Sequence, residues 1–177
     1  MRQYWNASIP PFAVADGTPL ASSTTLTDIS PAPQVTLPAN LLEVGTRIEL
    51  DAFLTFSTTA TPTLLLGFYY GGVAGAALAA SSAITTGSGA AAWSAILRYR
   101  GQVRAIGSAG SIVGQGALLL GTSLTAFSAR PIPEVAASRT VTIDTTAAKA
   151  LTVGAQWGTS SASNTVTLND VTVTLLN

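Results

Sequence analysis

Apolar and polar residues alternate along residues 46–57. The even-numbered positions from Ile48 to Phe56 are all apolar, and the odd-numbered positions carry most of the polar and charged side chains. Successive side chains of a β-strand point to opposite faces, so this period of two is typical of a strand buried on one face. The polar face would comprise Arg47, Glu49, Asp51, Phe53 and Thr55.

A second, more apolar strand is predicted at residues 63–70 (TLLLGFYY). Residues 59–62 (TATP) separate it from the first strand and are typical of a turn. Because two strands joined by a short turn usually pair with each other, we expect a hairpin here.

Residues 93–104 repeat the alternation with a strongly basic face. Trp93 and Tyr99 share the apolar face, whereas Arg98, Arg100 and Arg104 share the other. The glycine-rich residues 107–116 (GSAGSIVGQG) have no lysine after them and no helix start, so they predict a turn and strand glycines rather than a phosphate loop. Residues 112–120 would return as the partner strand of a second hairpin.

The C-terminal region predicts three further strands. Two lie at residues 139–143 and 150–157, and a loop at residues 158–164 (GTSSASN) precedes the last strand. The apolar positions of that last strand change from even to odd numbers at Asn169-Asp170. Such a change indicates either a β-bulge or the passage of the strand from one sheet to another.

The N-terminal region is rich in proline, which excludes a long helix there. We predict an extended arm over residues 1–22 and a single domain over residues 23–177. The arm belongs either to the edge of the sheet or to a contact with a neighbouring subunit. No secretory signal is recognised, because the first residues lead into Pro10-Pro11 rather than an apolar segment.

About eight strands with turn-rich connections, and no convincing amphipathic helix, predict an all-β jelly-roll or antiparallel β-sandwich with an extended N-terminal arm. Residues 71–92 are mainly Gly, Ala, Ser and Thr, and are open to three interpretations: a loop, a closely packed strand pair, or a helical turn at 76–80. Residues 64–80 are apolar but barely reach the minimum of about 17 residues for a membrane span. They also lack flanking Lys or Arg, so a buried strand is preferred.

Composition excludes several classes of function. The 177 residues contain no Cys and no His, which removes a cysteine nucleophile, a disulfide framework and a Ser-His-Asp triad. Eight basic and eight acidic side chains leave no net charge, so nucleic acid is not an expected partner. Charged residues are only 9% of the chain, against about 25% in ordinary domains. A surface so poor in charge is expected to be covered by other copies or by a larger assembly.

Two charged clusters are candidates for chemistry. Glu49 and Asp51 lie two residues apart on one strand face, and paired carboxylates serve as acid and base in glycoside hydrolysis. The preferred interpretation is a solvated, charge-paired strand face. Arg98, Arg100 and Arg104 would suit an anionic contact. Alternatively they are balanced by acidic residues such as Glu49 and Asp51.

Several segments together resemble small virion structural proteins of tailed bacteriophages, particularly those of actinobacterial hosts. The likeness covers most of the chain. It rests on turns and strand patterns: residues 5–10 (WNASIP), 16–20 (DGTPL), 23–31 (STTLTDISP), 37–40 (LPAN), 45–48 (GTRI) and 59–64 (TATPTL), with the Gly-Ala segment leading into Trp93.

This resemblance implies a jelly roll that assembles on a virus particle as a head decoration (cement) protein or a minor tail protein. It implies a homotrimer bound to the major capsid protein on the capsid exterior, made in the cytoplasm of a bacterial host. It carries over no catalytic residue. From composition and pattern we expect no cofactor, no metal, and neither nucleic acid nor membrane as a partner. A minor tail or receptor-binding module that contacts host glycan through residues 71–92 or 158–164 is the alternative.

The partner contacts are expected first in the N-terminal arm and second on the arginine face. The predicted contact residues are Tyr4, Trp5, Pro10, Pro11, Phe12, Arg98 and Arg100.

Overall fold

The computed structural model describes residues 4–8 by their backbone, and residues 15–134 and 138–176 in full. These residues form fourteen β-strands and no helix. The strands are β1 (Tyr4–Ser8), β2 (Leu20–Ala21), β3 (Thr27–Asp28), β4 (Val35–Leu37), β5 (Arg47–Ser57), β6 (Thr63–Tyr70), β7 (Ala76–Ala80), β8 (Ile84–Thr85), β9 (Trp93–Ala105), β10 (Gly110–Gly121), β11 (Phe127–Ile132), β12 (Thr140–Ile143), β13 (Lys149–Trp157) and β14 (Thr165–Leu176). Among the described residues no helix is long and apolar enough to cross a membrane.

The strands form two antiparallel sheets that pack against each other. The larger sheet has the order β1-β14-β5-β9-β10-β11, with β2 also beside β14 and β12 also beside β10. The smaller sheet has the order β3-β13-β6-β7, with β4 beside β13 and β8 beside β6. The predicted all-β sandwich is therefore confirmed, whereas a jelly-roll topology stays a prediction.

The core lies between the two sheets and is built by the alternating positions of their strands. In β5 the even-numbered residues, such as Ile48 and Phe56, are buried, and those between them are exposed or half-buried. The smaller sheet contributes large side chains from β6 and β13, including Phe68 and Trp157. Burial of each such side chain stabilises the fold by about 1.5–3 kcal/mol.

The predicted hairpin between residues 46–57 and 63–70 is wrong. Strand β5 lies between β14 and β9 in the larger sheet, whereas β6 lies between β13 and β7 in the smaller one. Residues 58–62 carry the chain from one sheet to the other. Alternation shows which face of a strand is buried. It does not show whether two such strands pair within one sheet or face each other from two packed sheets, because both arrangements bury the same faces.

The other long strands lie where the sequence predicts them, but the described residues form fourteen strands rather than about eight. Strands β9 and β10 form the second hairpin. Strand β14 stays beside β5 along its length, and the register shift between Leu168 and Asp170 identifies the predicted change of parity as a β-bulge. Residues 76–80 are β7, which pairs with β6 so closely that a Cβ at Gly67 would lie 2.7 Å from the Cβ of Ala80.

The N-terminal residues that the structure describes lie along the edge of β14 that faces away from β5. Strand β1 pairs with it from Tyr4 opposite Leu176 to Ser8 opposite Thr172, and β2 pairs with Thr165 and Val166. Between these contacts, the Gly17 backbone N–H donates to the carbonyl of Leu168 over 2.9 Å. These described residues pair with the edge of their own sheet, and a contact of the arm with a neighbouring subunit stays a prediction.

Candidate functional site

Two rows of opposite charges cross the exposed side of the larger sheet. Asp51 on β5 lies directly opposite Arg98 on β9, and Glu49 lies directly opposite Arg100. The Nε atoms of the two arginines are 2.8 Å from Asp51 Oδ1 and 2.9 Å from Glu49 Oε1, respectively. All four residues occupy outward positions of two neighbouring strands, and the register of these strands places each acid beside an arginine.

These ion pairs are exposed, and therefore contribute little to the stability of the fold. The side chains of Arg98 and Arg100 are 60% and 67% exposed. Surface pairs of this kind are each worth about 0–1 kcal/mol. Their main effect is to arrange charge. Glu49 and Asp51 form an acidic column on β5, with the exposed Arg47 at the next outward position. Arg98 and Arg100 form a basic column on β9.

An open groove of about 640 Å³ runs over the two columns. Beyond the four charged residues, its lining includes Phe53, Gln115 and Thr172. It offers hydrogen-bond donors and acceptors side by side, with one aromatic ring at its end. Such a surface suits contact with another polar surface, either protein or carbohydrate.

Beyond Asp51 and Arg98 the same side of β5, β9 and β10 becomes apolar, while the exposed Asp170 lies beside Phe53 on β14. Phe53 lies opposite Ile96, which in turn lies opposite Leu119 on β10. A second groove of about 430 Å³ is bordered by Ile96, Leu119, Leu124 and Phe127. Leu124 is 89% exposed and Phe127 is 65% exposed, so large apolar side chains are open to solvent here.

We call this combined surface the outer face. It comprises Glu49, Asp51, Phe53, Ile96, Arg98, Arg100, Gln115, Ala117, Leu119, Leu124 and Phe127. Sequence alternation predicted its charged residues. It did not predict its apolar end, because the exposure of Leu124 and Phe127 depends on where the β10–β11 connection lies.

Two glycines on the core side of the larger sheet make room for the ring of Tyr99. Its ring is buried on the core side of the sheet, and a Cβ at Gly101 or at Gly114 would overlap it. These glycines lie opposite each other on β9 and β10, so the pair leaves a slot for the ring. The Tyr99 hydroxyl has no hydrogen-bond partner among the described residues, and burial raises its pKa well above the usual range.

The glycine-rich residues 107–116 therefore have two roles, a turn and a packing slot. Gly107 has a φ of 112°, a backbone conformation that other residues rarely adopt, at the β9–β10 turn. The sequence predicted a turn and strand glycines, but not the reason for Gly114. The signal that would have identified the slot is the pairing of Gly114 with Gly101 across the sheet. The aromatic Tyr99 lies two positions from Gly101 in the sequence.

The predicted contact residues are only partly accounted for. Arg98 and Arg100 lie on the outer face. Tyr4 and Trp5 lie in β1, where the structure places their backbone opposite Leu176 and Leu175.

The remaining three predicted contact residues, Pro10, Pro11 and Phe12, lie outside the described residues.

The two segments predicted to bind glycan differ from each other in structure. Residues 71–92 contain β7 and β8, whereas residues 158–164 are the connection between β13 and β14.

The carboxylates of Glu49 and Asp51 each form an ion pair with an arginine of β9. This is the charge-paired strand face that the sequence predicted. Among the described residues, no cluster of acidic side chains is arranged to hold a metal ion.

Comparison of this chain with known protein families, curated proteins and solved structures found no match.

Proposed function

We propose that this chain is a non-enzymatic structural protein of a bacteriophage virion. In this role it binds the outer surface of the capsid as a homo-oligomer, expected to be a trimer, and stabilises the head. The major capsid protein is its partner. The segments that resemble phage virion proteins motivate the role, and the β-sandwich is compatible with it.

The observation that best supports a role in assembly is the outer face. It combines paired charges with exposed Phe53, Leu124 and Phe127 on a chain in which only 9% of residues are charged. Exposed apolar side chains beside polar ones are typical of protein–protein interfaces. Many copies of a modest contact on a capsid lattice would sum through multivalency.

The N-terminal segment is the first candidate for the capsid contact. Deletion of residues 1–20 would remove β1 and Leu20, and so would expose the edge of β14. Loss of particle binding by that deletion would not separate a contact from damage to the sheet. Substitution of Phe12, which lies outside the described residues, by alanine is the sharper test: binding to particles should fall while the far-UV circular dichroism spectrum is retained.

The copy number of the chain in purified virions tests the role itself. Quantitative mass spectrometry against the major capsid protein should find hundreds of copies per particle for a head decoration protein. A few to a few tens would move the protein to the tail or to a single vertex. Absence from the particles would contradict a virion role.

A glycan-binding tail module is the alternative, and the 640 Å³ groove is the observation that favours it. Arginine, carboxylate and amide side chains around an open groove are suited to hydrogen bonds with sugar hydroxyls. Saturable binding on a glycan array, lost in Gln115→Ala and retained in Ser160→Ala, would support this alternative over the capsid role. Loss of binding in Ser160→Ala alone would instead place the glycan on the 158–164 loop.

A further inference from the structure

We propose that the outer face binds the outer face of a second copy of this chain about a two-fold axis. The axis would run parallel to the strands, midway between the two facing sheets and above the gap between β5 and β9. This inference names a surface and a symmetry, and it does not depend on the virion role. The two-fold contact gives a dimer by itself, or a hexamer where a three-fold contact also exists.

The charge pattern on β5 and β9 is complementary to itself under this rotation. A two-fold axis parallel to the strands reverses the order of the strands across the sheet but keeps each residue at the same height, that is, the same position along the strand direction. The partner's β5 therefore lies over this copy's β9. Asp51 then faces the partner's Arg98, and Glu49 faces the partner's Arg100, so each row becomes a cluster of two acids and two bases.

Other face-to-face arrangements lack this match. A two-fold axis that runs across the strands would place β5 over the partner's β5, with acid above acid and arginine above arginine. Like charges brought together in an interface strongly disfavour it. The placement of both paired acids on β5 and both paired arginines on β9 therefore selects the direction of the axis.

The distance between packed sheets allows these contacts. Facing sheets lie about 10 Å apart. An arginine from one copy and a carboxylate from the other together span such a gap. The Nε atom of each arginine holds the carboxylate of its own chain, while the terminal nitrogens of the guanidinium group remain as donors for a second carboxylate.

Two residues of the apolar end, Phe53 and Ile96, add to the contact. At the height of Phe53 the rotation places this ring over the partner's Ile96. Phe53 is 40% exposed in the single chain, so it has apolar surface left to bury. Apolar burial supplies the attraction, and the charge rows set orientation and register.

Two charge-reversed variants test the proposal. Arg98→Glu combined with Arg100→Glu makes both columns acidic, and Glu49→Arg combined with Asp51→Arg makes both basic. Each variant alone should associate at least tenfold more weakly than the wild type in light scattering coupled to size-exclusion chromatography. An equimolar mixture should restore association, because every acid then faces an arginine of the other variant.

A matched control reverses two charges that lie off the outer face. Arg130 lies opposite the buried Leu118 and thus on the other side of the sheet, and Lys149 begins β13 in the smaller sheet. Arg130 holds an exposed ion pair with Glu134, and Lys149 holds a half-buried one with Asp144. Arg130→Glu combined with Lys149→Glu should associate as the wild type does. Far-UV circular dichroism establishes that each variant is folded.

The results separate this proposal from the virion role. A wild-type protein that stays monomeric at high concentration, or a mixture of folded variants that fails to associate, would overturn the two-fold contact. A monomer that binds glycan through the groove would also overturn it. These measurements use the purified protein alone, so they are independent of the copy number in particles.

Discussion

Asp51 and Arg98 lie directly opposite each other on neighbouring strands, with 2.8 Å between Asp51 Oδ1 and Arg98 Nε. Both side chains are substantially exposed, so the pair is expected to contribute little to folding. Replacement of either residue by alanine should lower the free energy of unfolding by less than about 1 kcal/mol.

A double-mutant cycle in urea should yield a coupling energy of about 0.2–1 kcal/mol that declines with salt. The cycle is measured at a protein concentration at which the wild type is monomeric. A coupling of several kcal/mol would show that the pair has a structural role which the exposed geometry does not explain.

Gly114→Ala should destabilise the fold, because its new methyl group would overlap the ring of Tyr99. Overpacking of this kind costs about 1–3 kcal/mol. Gly121→Ala on the same strand is the matched control, since its nearest neighbour would lie 3.4 Å away at an ordinary contact distance. Chemical denaturation of both variants measures the difference. Equal stabilities would contradict the slot for the ring.

Tyr99→Phe should leave stability unchanged or raise it. The hydroxyl is buried without a hydrogen-bond partner among the described residues, and its removal relieves an uncompensated desolvation cost of about 1–3 kcal/mol. The free energy of unfolding of this variant and of Tyr70→Phe should be compared. Tyr70→Phe should be the less stable of the two, since the Tyr70 hydroxyl donates to the carbonyl of Asp144 over 3.0 Å.

Alkaline pH should unfold the protein through its buried tyrosines. Burial raises the pKa of Tyr69 and of Tyr70 to about 12, with smaller contributions from Asp28 and Asp144 respectively. The folded state therefore binds these protons more tightly than the unfolded state, where tyrosine has a pKa of about 10. Their contribution is complete below pH 10 and is lost as the pH rises towards 12.

The ultraviolet absorbance of phenolate follows this loss directly. It should appear late in the titration and together with the change in circular dichroism. Ionisation of these two side chains near pH 10 in a protein that is still folded would contradict their burial. Tyr69→Phe and Tyr70→Phe should each weaken the pH dependence above pH 10.

Phe53→Ser should reduce self-association while leaving stability within about 0.5 kcal/mol of the wild type, because exposed positions are usually tolerant. Phe56→Ser is the contrasting variant. Its side chain is almost wholly buried, so the fold should lose several kcal/mol. If Phe53→Ser associated as strongly as the wild type, the apolar end would not belong to the contact.

Alternation predicted which residues of β5 and β9 are buried and which are exposed, because the pleat of a strand makes this a local property. It also identified the β9–β10 hairpin, where a short turn rich in glycine leaves few other pairings. The change of parity at Asn169 could be read from the sequence, but its two explanations differ only in the neighbours of β14. Those neighbours are distant in the chain.

The composition of the sequence by itself excluded thiol and imidazole chemistry, and its pattern determined the all-β class and the two faces of the long strands. The tertiary structure alone decided that β5 and β6 lie in different sheets, and that β14, more than a hundred residues later, lies beside β5. It also decided that the acids of β5 stand opposite the arginines of β9. A strand's sequence specifies its own faces, whereas the register and identity of its partners depend on packing across the whole core.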